Sequence, residues 1–338
     1  MSSEDVLGSA RSPERALRSG LELAVRAPSL HNSQPWRWRM WDGAAQLYLD
    51  LGRRLPAADP DARELVLSCG AGLHHLVVGL AGLGYGSRVR RLPDPDEPTL
   101  LARVELTDTP AKGDAALAAA IPRRRTDRRR LAPWPLPPDL IGELTEIADL
   151  AGLSVRAITE PTQRLRVYRT ITRAARLQAE DPAYIAELES WSGRGPAEPQ
   201  GVPAANAPAP GRVPGQPPMR QFARPRLAQP ESPGEPEGAA LLMVSTPTDA
   251  PLQWLRAGEV TSAILLTATR NGLATTPLSQ PLEVPETRDV LRSVVGGGGH
   301  PQILLRIGWP TPGAAELPAT SRRPLAEVVA GLDEWRGI

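Results

Sequence analysis

The sequence predicts an internally duplicated α+β fold, on three observations. Segments 63–94 and 256–283 follow one plan: a charged start, a long apolar helix, a Gly-Leu turn, and a stretch leading to an apolar strand. That strand is LLARVEL after the first segment and PQILLRIGW after the second. Helical and strand periods coexist on both sides of the chain's midpoint, with a hairpin signal at Asp42-Gly43. Finally, one stretch, 193–238, carries 12 prolines and 7 glycines in 46 residues and interrupts the second part alone. Prolines at that density break helices and sheet ladders alike. The stretch is therefore an insert, either a disordered linker or an ordered cover over a site.

In chain order, residues 14–27 place Leu17, Leu21, Ala24 and Val25 on one helical face, and Pro28 ends that helix. PSLHNSQPW follows as a loop, and RWRMWDGAAQLYLDL reads as two strands around the Asp42-Gly43 turn. Residues 61–84 form a long apolar helix rich in small residues, suited to close packing, and a strand at 101–107 completes the first half. The second half begins with the basic run 121–131 and continues with a helix at 137–151, a strand at 153–158 and a helix at about 162–190. After the insert come a strand at 240–245, a long helix at 256–271, a short helix at 286–294 and a strand at 301–309. These elements divide the chain into halves 1–118 and 119–338.

With 338 residues the chain has room for two packed units. A net charge of +1 gives no global field for nucleic acid or membrane. Of 39 basic residues only Lys112 is lysine, so any arginine cluster must be discounted for that bias before it is read as a site. The lone Cys69 fits a reducing compartment, and residues 1–10 lack an apolar signal core, so a cytoplasmic protein without a membrane span is expected. His74-His75 with Cys69 lack a second ligand cluster at metal spacing, and no metal is expected.

The most specific motif is Ala27-Pro28-Ser29-Leu30-His31-Asn32-Ser33-Gln34-Pro35-Trp36. Short polar side chains such as Ser29 and Asn32 suit hydrogen bonding to a flavin's pyrimidine edge, and Gln34 and Trp36 suit anchoring of the loop. A second motif, Arg123 to Arg130, sets Arg124, Arg125, Thr126 and Arg128 where guanidinium groups and a hydroxyl can hold a phosphate. A third is the turn Thr275-Thr276-Pro277-Leu278-Ser279-Gln280-Pro281, and a fourth is Ser321-Arg322-Arg323-Pro324.

Together these motifs resemble the nitroreductase family of FMN-binding proteins. The resemblance covers most of the chain, and the 193–238 insert is its least matched part. It implies antiparallel-rich sheets packed by long central helices. It also implies that Pro28, Ser29, Leu30 and Asn32 approach the flavin ring, and that Arg124, Arg125, Thr126 and Arg128 hold the ribityl phosphate. Pro277, Leu278, Ser279 and Gln280 would pass the reactive N5 edge, and Arg322 and Arg323 would close over the phosphate. No side chain is expected to act as catalyst, because the flavin N5 carries the chemistry.

Ordinary members of that family are homodimers with two sites at the interface. Here the PSLHNSQPW loop occurs only in the first half, and the arginine run and the PLSQP turn only in the second. The first half has GYGSRVRRL, and the second ADLAGLSVRA, at the matching places. One complete site can be assembled and its twin lacks the parts. That pattern resembles the Acg-like branch, fused pseudo-dimers that bind FMN under a lid. The implied activity is hydride transfer through FMN to a small molecule, with NAD(P)H as a candidate donor; the alternative is a catalytically quiet FMN-sequestering protein. A monomer is expected, since the pseudo-dimer is internal.

Overall fold

The computed structural model describes residues 12–41, 43–109, 115–211, 213–230, 235–296 and 298–331. Helix α1 (Pro13–Ala24) opens on the N-cap Ser12, whose hydroxyl accepts from the Arg15 amide, with Pro13 at the first helical position. Its inner face buries Leu17, Leu21 and Ala24, and Val25 caps it, three residues short of Pro28. Strands β1 (Trp36–Trp41) and β2 (Ala44–Leu49) pair antiparallel from Trp36↔Leu49 to Trp41↔Ala44. Gly43 turns the hairpin at φ 71°, while Asp42, predicted beside it, lies outside the described residues.

Helix α2 (Arg63–Gly82) leads to β3 (Gly86–Arg91) and β4 (Leu100–Thr107). The first sheet runs β3-β4-β2-β1, and its outer edge is completed by β11 (Val329–Gly331) from the far end of the chain, parallel to β1. By length and composition α2 could cross a membrane, with a mean hydropathy of 1.6, but 72% of that stretch is buried inside the protein.

After α3 (Ala115–Ala120) and α4 (Pro138–Glu146), the second sheet orders β5 (Ser154–Ala157), β8 (Ala240–Thr246), β10 (His300–Gly308) and β9 (Ala274–Leu278), all antiparallel. The helix expected over 162–190 is two: α5 (Pro161–Ala179) and α6 (Pro182–Ser190). Pro182 has no amide hydrogen to continue the first, and Asp181 caps the second by accepting from the Ala183 amide. The long helix expected at 256–271 begins five residues earlier, as α7 (Pro251–Arg270). Its apolar period is diluted at the start by Gln253 and Arg256, which hid the first turn. The stretch 274–278, not recognised as a strand from sequence, pairs through Pro277 at a sheet edge, where a missing amide is tolerated. Short α8 (Gln280–Glu283) and α9 (Pro285–Val295) follow, and α10 (Leu325–Val328) precedes β11.

Helices α2 and α7 lie against each other between the sheets. Their crossing requires glycine on both sides. A Cβ on Gly70 would sit 2.0 Å from the Leu255 carbonyl oxygen, and one on Gly258 would sit 1.9 Å from that of Leu67. Features of α7 recur 188 residues after their counterparts in α2: Arg63 and Pro251 open the helices, Gly82 and Arg270 end them, and Gly86 and Ala274 begin the next strands. The side chains interlock too. Leu255 belongs to the core of the first sheet and Leu67 to that of the second.

Within 193–238, β6 (Ser192–Arg194) and β7 (Val202–Pro203) form a small parallel ribbon. The described part of the insert is ordered by hydrogen bonds to other segments. Ala223 N–H donates to Ser192 Oγ at 3.0 Å, and Tyr168 Oη donates to the Gly215 carbonyl at 2.8 Å. Glu237, at its end, pairs with the fully buried Arg306 at 2.7 Å.

Candidate functional site

The loop after α1 is held in a tight, unusual course. His31, Asn32 and Gln34 all have positive φ, at 47°, 57° and 53°. Such backbone costs free energy for non-glycine residues, and it persists where surrounding contacts over-determine it. Ser29 Oγ accepts from the Gln34 amide at 3.0 Å, Leu30 N–H donates to Ser68 Oγ on α2 at 3.1 Å, and Trp36 is fully buried below. The Gln34 side chain donates to the Pro199 carbonyl at 2.7 Å and accepts from the Arg323 amide at 2.9 Å. It thus ties loop, insert and C-terminal segment together.

The arginine run lies along β9 and β10. Asp127 N–H donates to the Thr275 carbonyl at 2.9 Å, and Arg306 reaches from β10 to the carbonyls of Asp127 and Arg129 at 3.2 and 2.8 Å. Asp127 takes Arg129 as its ion partner at 2.7 Å, which leaves Arg124 and Arg128 without that carboxylate.

These segments enclose two adjoining compartments. One, of about 470 Å³, is basic and is lined by Arg26, Arg124, Arg125, Arg128 and Arg322, with Asn32, Asn206 and Ser321. The other, of about 110 Å³, is mostly apolar, lined by Leu30, Leu67, Ala71, Pro277, Leu278, Met219 and Phe222, with Ser279 and Gln280. Pro28, Ser29, His31, Thr126 and Arg128 line both.

All the site residues expected from sequence line one compartment or the other, except Arg323. Arg323 points its guanidinium at Glu327 and Asp50 and serves the site through its backbone amide. Asn32 faces the basic compartment and not the apolar one; its amide nitrogen is spent on the carbonyls of Gly201 and Ser321, and its buried Oδ1 accepts from none of the described residues.

The electrostatics are those of an anion site. Burial, then Arg125, lowers Arg124 to about 10; burial and Arg220 lower Arg128 to about 10. Burial, then Arg124, Arg26 and Arg125, lower Arg322 to about 9. Each remains a cation at neutral pH, but a crowded one. Nε and Nη1 of Arg124 and Nε of Arg322 are buried without hydrogen-bond partners among the described residues. Unpaired buried donors of this kind are costly, and an anion with several acceptor oxygens would satisfy them.

The insert supplies much of the covering wall, including residues that motif reasoning did not assign. Val202, Pro203 and Asn206 line the basic compartment, and Pro218, Met219, Arg220 and Phe222 the apolar one. Arg128 stacks on the Phe222 ring at 4.8 Å, and His31 meets the same ring edge-on at 5.9 Å between centroids. Arg220 is buried, pairs with Glu283, donates to Ser279 Oγ at 3.1 Å and reaches Tyr184 Oη. Phe222 is the only phenylalanine in the chain; Glu283, Glu64 and Tyr184 carry no sequence signal of their own.

A cradle of crowded arginines joined to a narrow apolar slot fits a flat ring system that carries a phosphate, FMN among them. No protein-family model matches the chain. It is 45% identical over 324 residues to a Mycobacterium tuberculosis H37Rv protein, Rv3131, provisionally named an NAD(P)H nitroreductase; the match covers 94% of this chain and 91% of that one. It is 36% identical over 326 residues to acg of the same organism, also provisionally an NAD(P)H nitroreductase by name, covering 92% and 94%. The chain therefore belongs to the nitroreductase family, in the branch that includes acg. Among solved structures, it is similar to an FMN-bound nitroreductase of Bacteroides fragilis at 15% identity, covering 61% of this chain and 94% of that one, with a TM-score of 0.39. It is also similar to the FMN- and NADPH-dependent nitroreductase NfnB of sphigopyxis sp. strain HMH at 17% identity, covering 66% and 99%, with a TM-score of 0.41.

Proposed function

We propose that this chain binds one FMN in the two adjoining compartments and passes hydride through it to a small organic acceptor. The phosphate lies in the basic compartment, against Arg124, Arg128 and Arg322, and the ring in the apolar slot beside the Pro277–Gln280 turn. The observation that carries this reading is the buried guanidinium nitrogens of Arg124 and Arg322 that find no partner among the described residues, at one end of a cavity whose other end is apolar. When bound, the flavin supplies hydride chemistry. The chain's own part is orientation and exclusion of water: the strained loop 28–34 fixes one wall, and the insert closes the other.

The architecture is then a fused pair of nitroreductase-like halves, 1–118 and 119–338, with the terminal strand β11 reaching back to the first sheet. The reading implies a monomer in the cytoplasm.

A second reading is favoured by the insert itself. Met219, Arg220 and Phe222 line the apolar slot, so a nicotinamide would find that face covered. On that reading the protein sequesters FMN. Purified protein should be yellow, and rapid mixing with NADH or NADPH separates the two. Bleaching faster than free flavin, then recovery with a nitroaromatic or quinone, supports turnover. Silence to both donors while dithionite still bleaches supports sequestration, and removal of 196–236 should then expose the flavin to donors. A colourless protein with no FMN affinity would overturn both.

A further inference from the structure

At the apolar end of the cavity, one acidic side chain shares a buried ion pair through a single oxygen, Glu64 with Arg63 at 2.5 Å. Glu64, in the first turn of α2, lines this compartment together with Ser279. Its carboxylate receives a single hydrogen bond among the described residues, from Arg63 Nη2 to Oε1 at 2.5 Å, and none reaches Oε2. Arg63 is itself divided: Nη1 is given to the carbonyl and side chain of Gln302 at 2.7 and 3.2 Å. The neighbouring acids are better served. Both oxygens of Asp59 accept backbone amides, from Glu64 and Leu65, at 3.0 Å each. Glu283 holds Arg220, Ser279 and Gln178. Arg128, the other guanidinium on this cavity, is turned to the Asn206 carbonyl and the Phe222 ring.

We propose that Glu64 is the proton donor of the site, acting through the oxygen that Arg63 leaves free in the slot beside the Pro277–Gln280 turn. This rests on the flavin reading above. Burial drives the Glu64 carboxyl up to about 7, with Arg63 opposing the rise and Glu283 and Asp59 adding to it. A carboxyl tuned to that range is suited to general acid work at neutral pH. The chemistry asks for such a group. Reduction of a quinone to a hydroquinone takes two electrons and two protons. The electrons and one proton arrive as hydride from the reduced flavin. The second proton leaves Glu64 as the new O–H bond forms on the acceptor, and the resulting carboxylate is reprotonated from water.

The test uses the FMN-loaded full chain and the variants Glu64→Gln and Glu64→Asp. Flavin reduced anaerobically with dithionite is mixed with a benzoquinone across the neutral pH range. In the natural protein the reoxidation rate should fall as pH rises through about 7, where Glu64 loses its proton. Glu64→Gln should slow it by about 10²–10⁴-fold and flatten the profile, while Glu64→Asp restores a pH-dependent rate. A readout independent of turnover is the infrared carbonyl stretch of a protonated carboxyl. It should titrate near neutrality in the natural protein, be absent in Glu64→Gln and move in Glu64→Asp. A natural-protein spectrum without such a band overturns the proposal even if the variants fail to fold. So does a Glu64→Gln rate and profile equal to the natural ones with FMN still bound. Failure of the natural protein to bind FMN would overturn the flavin reading and this proposal together.

Discussion

Gly70 and Gly258 meet where the two long helices cross, and each lies against the carbonyl of the leucine that the opposite helix sends across. A Cβ on Gly258 would come within 2.9 Å of Gly70 Cα and 1.9 Å of the Leu67 carbonyl oxygen. These neighbours are backbone, which cannot swing aside as a side-chain tip can. Either glycine changed to alanine should therefore part the helices and loosen the packing of Leu67 and Leu255. We expect each substitution to cost about 1–3 kcal/mol or more in urea unfolding. The double variant should cost less than the two added together, because one separation relieves both contacts. Neutral single variants would show that the helices do not approach this closely.

The same 188-residue relation bears on the one-site reading proposed above. Ala71 and Ser279, which line the apolar slot, correspond to Glu259 and Arg91. Those two form a two-pronged ion pair at 2.7 and 2.8 Å, partly buried. Where the working side has small residues around a slot, the other side has two long side chains locked together. Titration of apoprotein with FMN should saturate at one equivalent per chain, and it should remain at one in Glu259→Ala, since the loop and arginine run have no second copy. Two equivalents would contradict the composite-site reading.

Much of this was legible in the sequence, and the parts that were not share a cause. The loop 28–36, the arginine run and the 277–280 turn are contiguous motifs, so their joint placement could be read from residue order. The clasp between Arg220 and Glu283 joins residues 63 apart, and an acid in a helical stretch looks the same whether it faces solvent or a buried guanidinium. Arg323 shows how little a dipeptide says about direction. It shares a dipeptide with Arg322, but the backbone turns the two side chains to different neighbours. The insert's role was undecidable from composition alone, because proline density forbids regular structure without forbidding order; Phe222 and Arg220 supply the anchors that order it.

The contrast between an arginine that lines the basic compartment and one that does not gives a paired prediction. Arg124→Ala should weaken FMN binding by about 1.5–3 kcal/mol, the worth of a charged hydrogen bond to phosphate. Its guanidinium is buried with Nε and Nη1 unpartnered, so few existing contacts are lost. Arg323→Ala should leave FMN affinity nearly unchanged, because its side chain faces Glu327 and Asp50. Flavin fluorescence titration measures both. Equal losses would remove the distinction, and an unchanged Arg124→Ala would remove the phosphate assignment.

Stability of the apoprotein should depend steeply on pH below neutrality, and the sign follows from three histidines. Burial lowers His31 to about 3 and His74 to about 4, and lowers His75 well below the ordinary histidine value. Unfolding frees all three to take a proton below about pH 6.5, so acid favours the unfolded chain. Glu64 works the other way. Raised to about 7, it holds a proton when folded that it gives up on unfolding above the ordinary glutamate range, and Asp59 is raised in the same direction. Three protons gained against one released leaves two, a slope of about 2.7 kcal/mol per pH unit between roughly pH 5 and 6. Stability should therefore climb through that window and level off near neutrality, as the histidines become neutral in both states. Replacing His75 with leucine should remove one proton from the difference and lower the slope by about 1.4 kcal/mol per unit. Urea midpoints measured across this range give the slope directly, and a flat profile would mean that these imidazoles titrate in the folded protein much as they do in the unfolded chain.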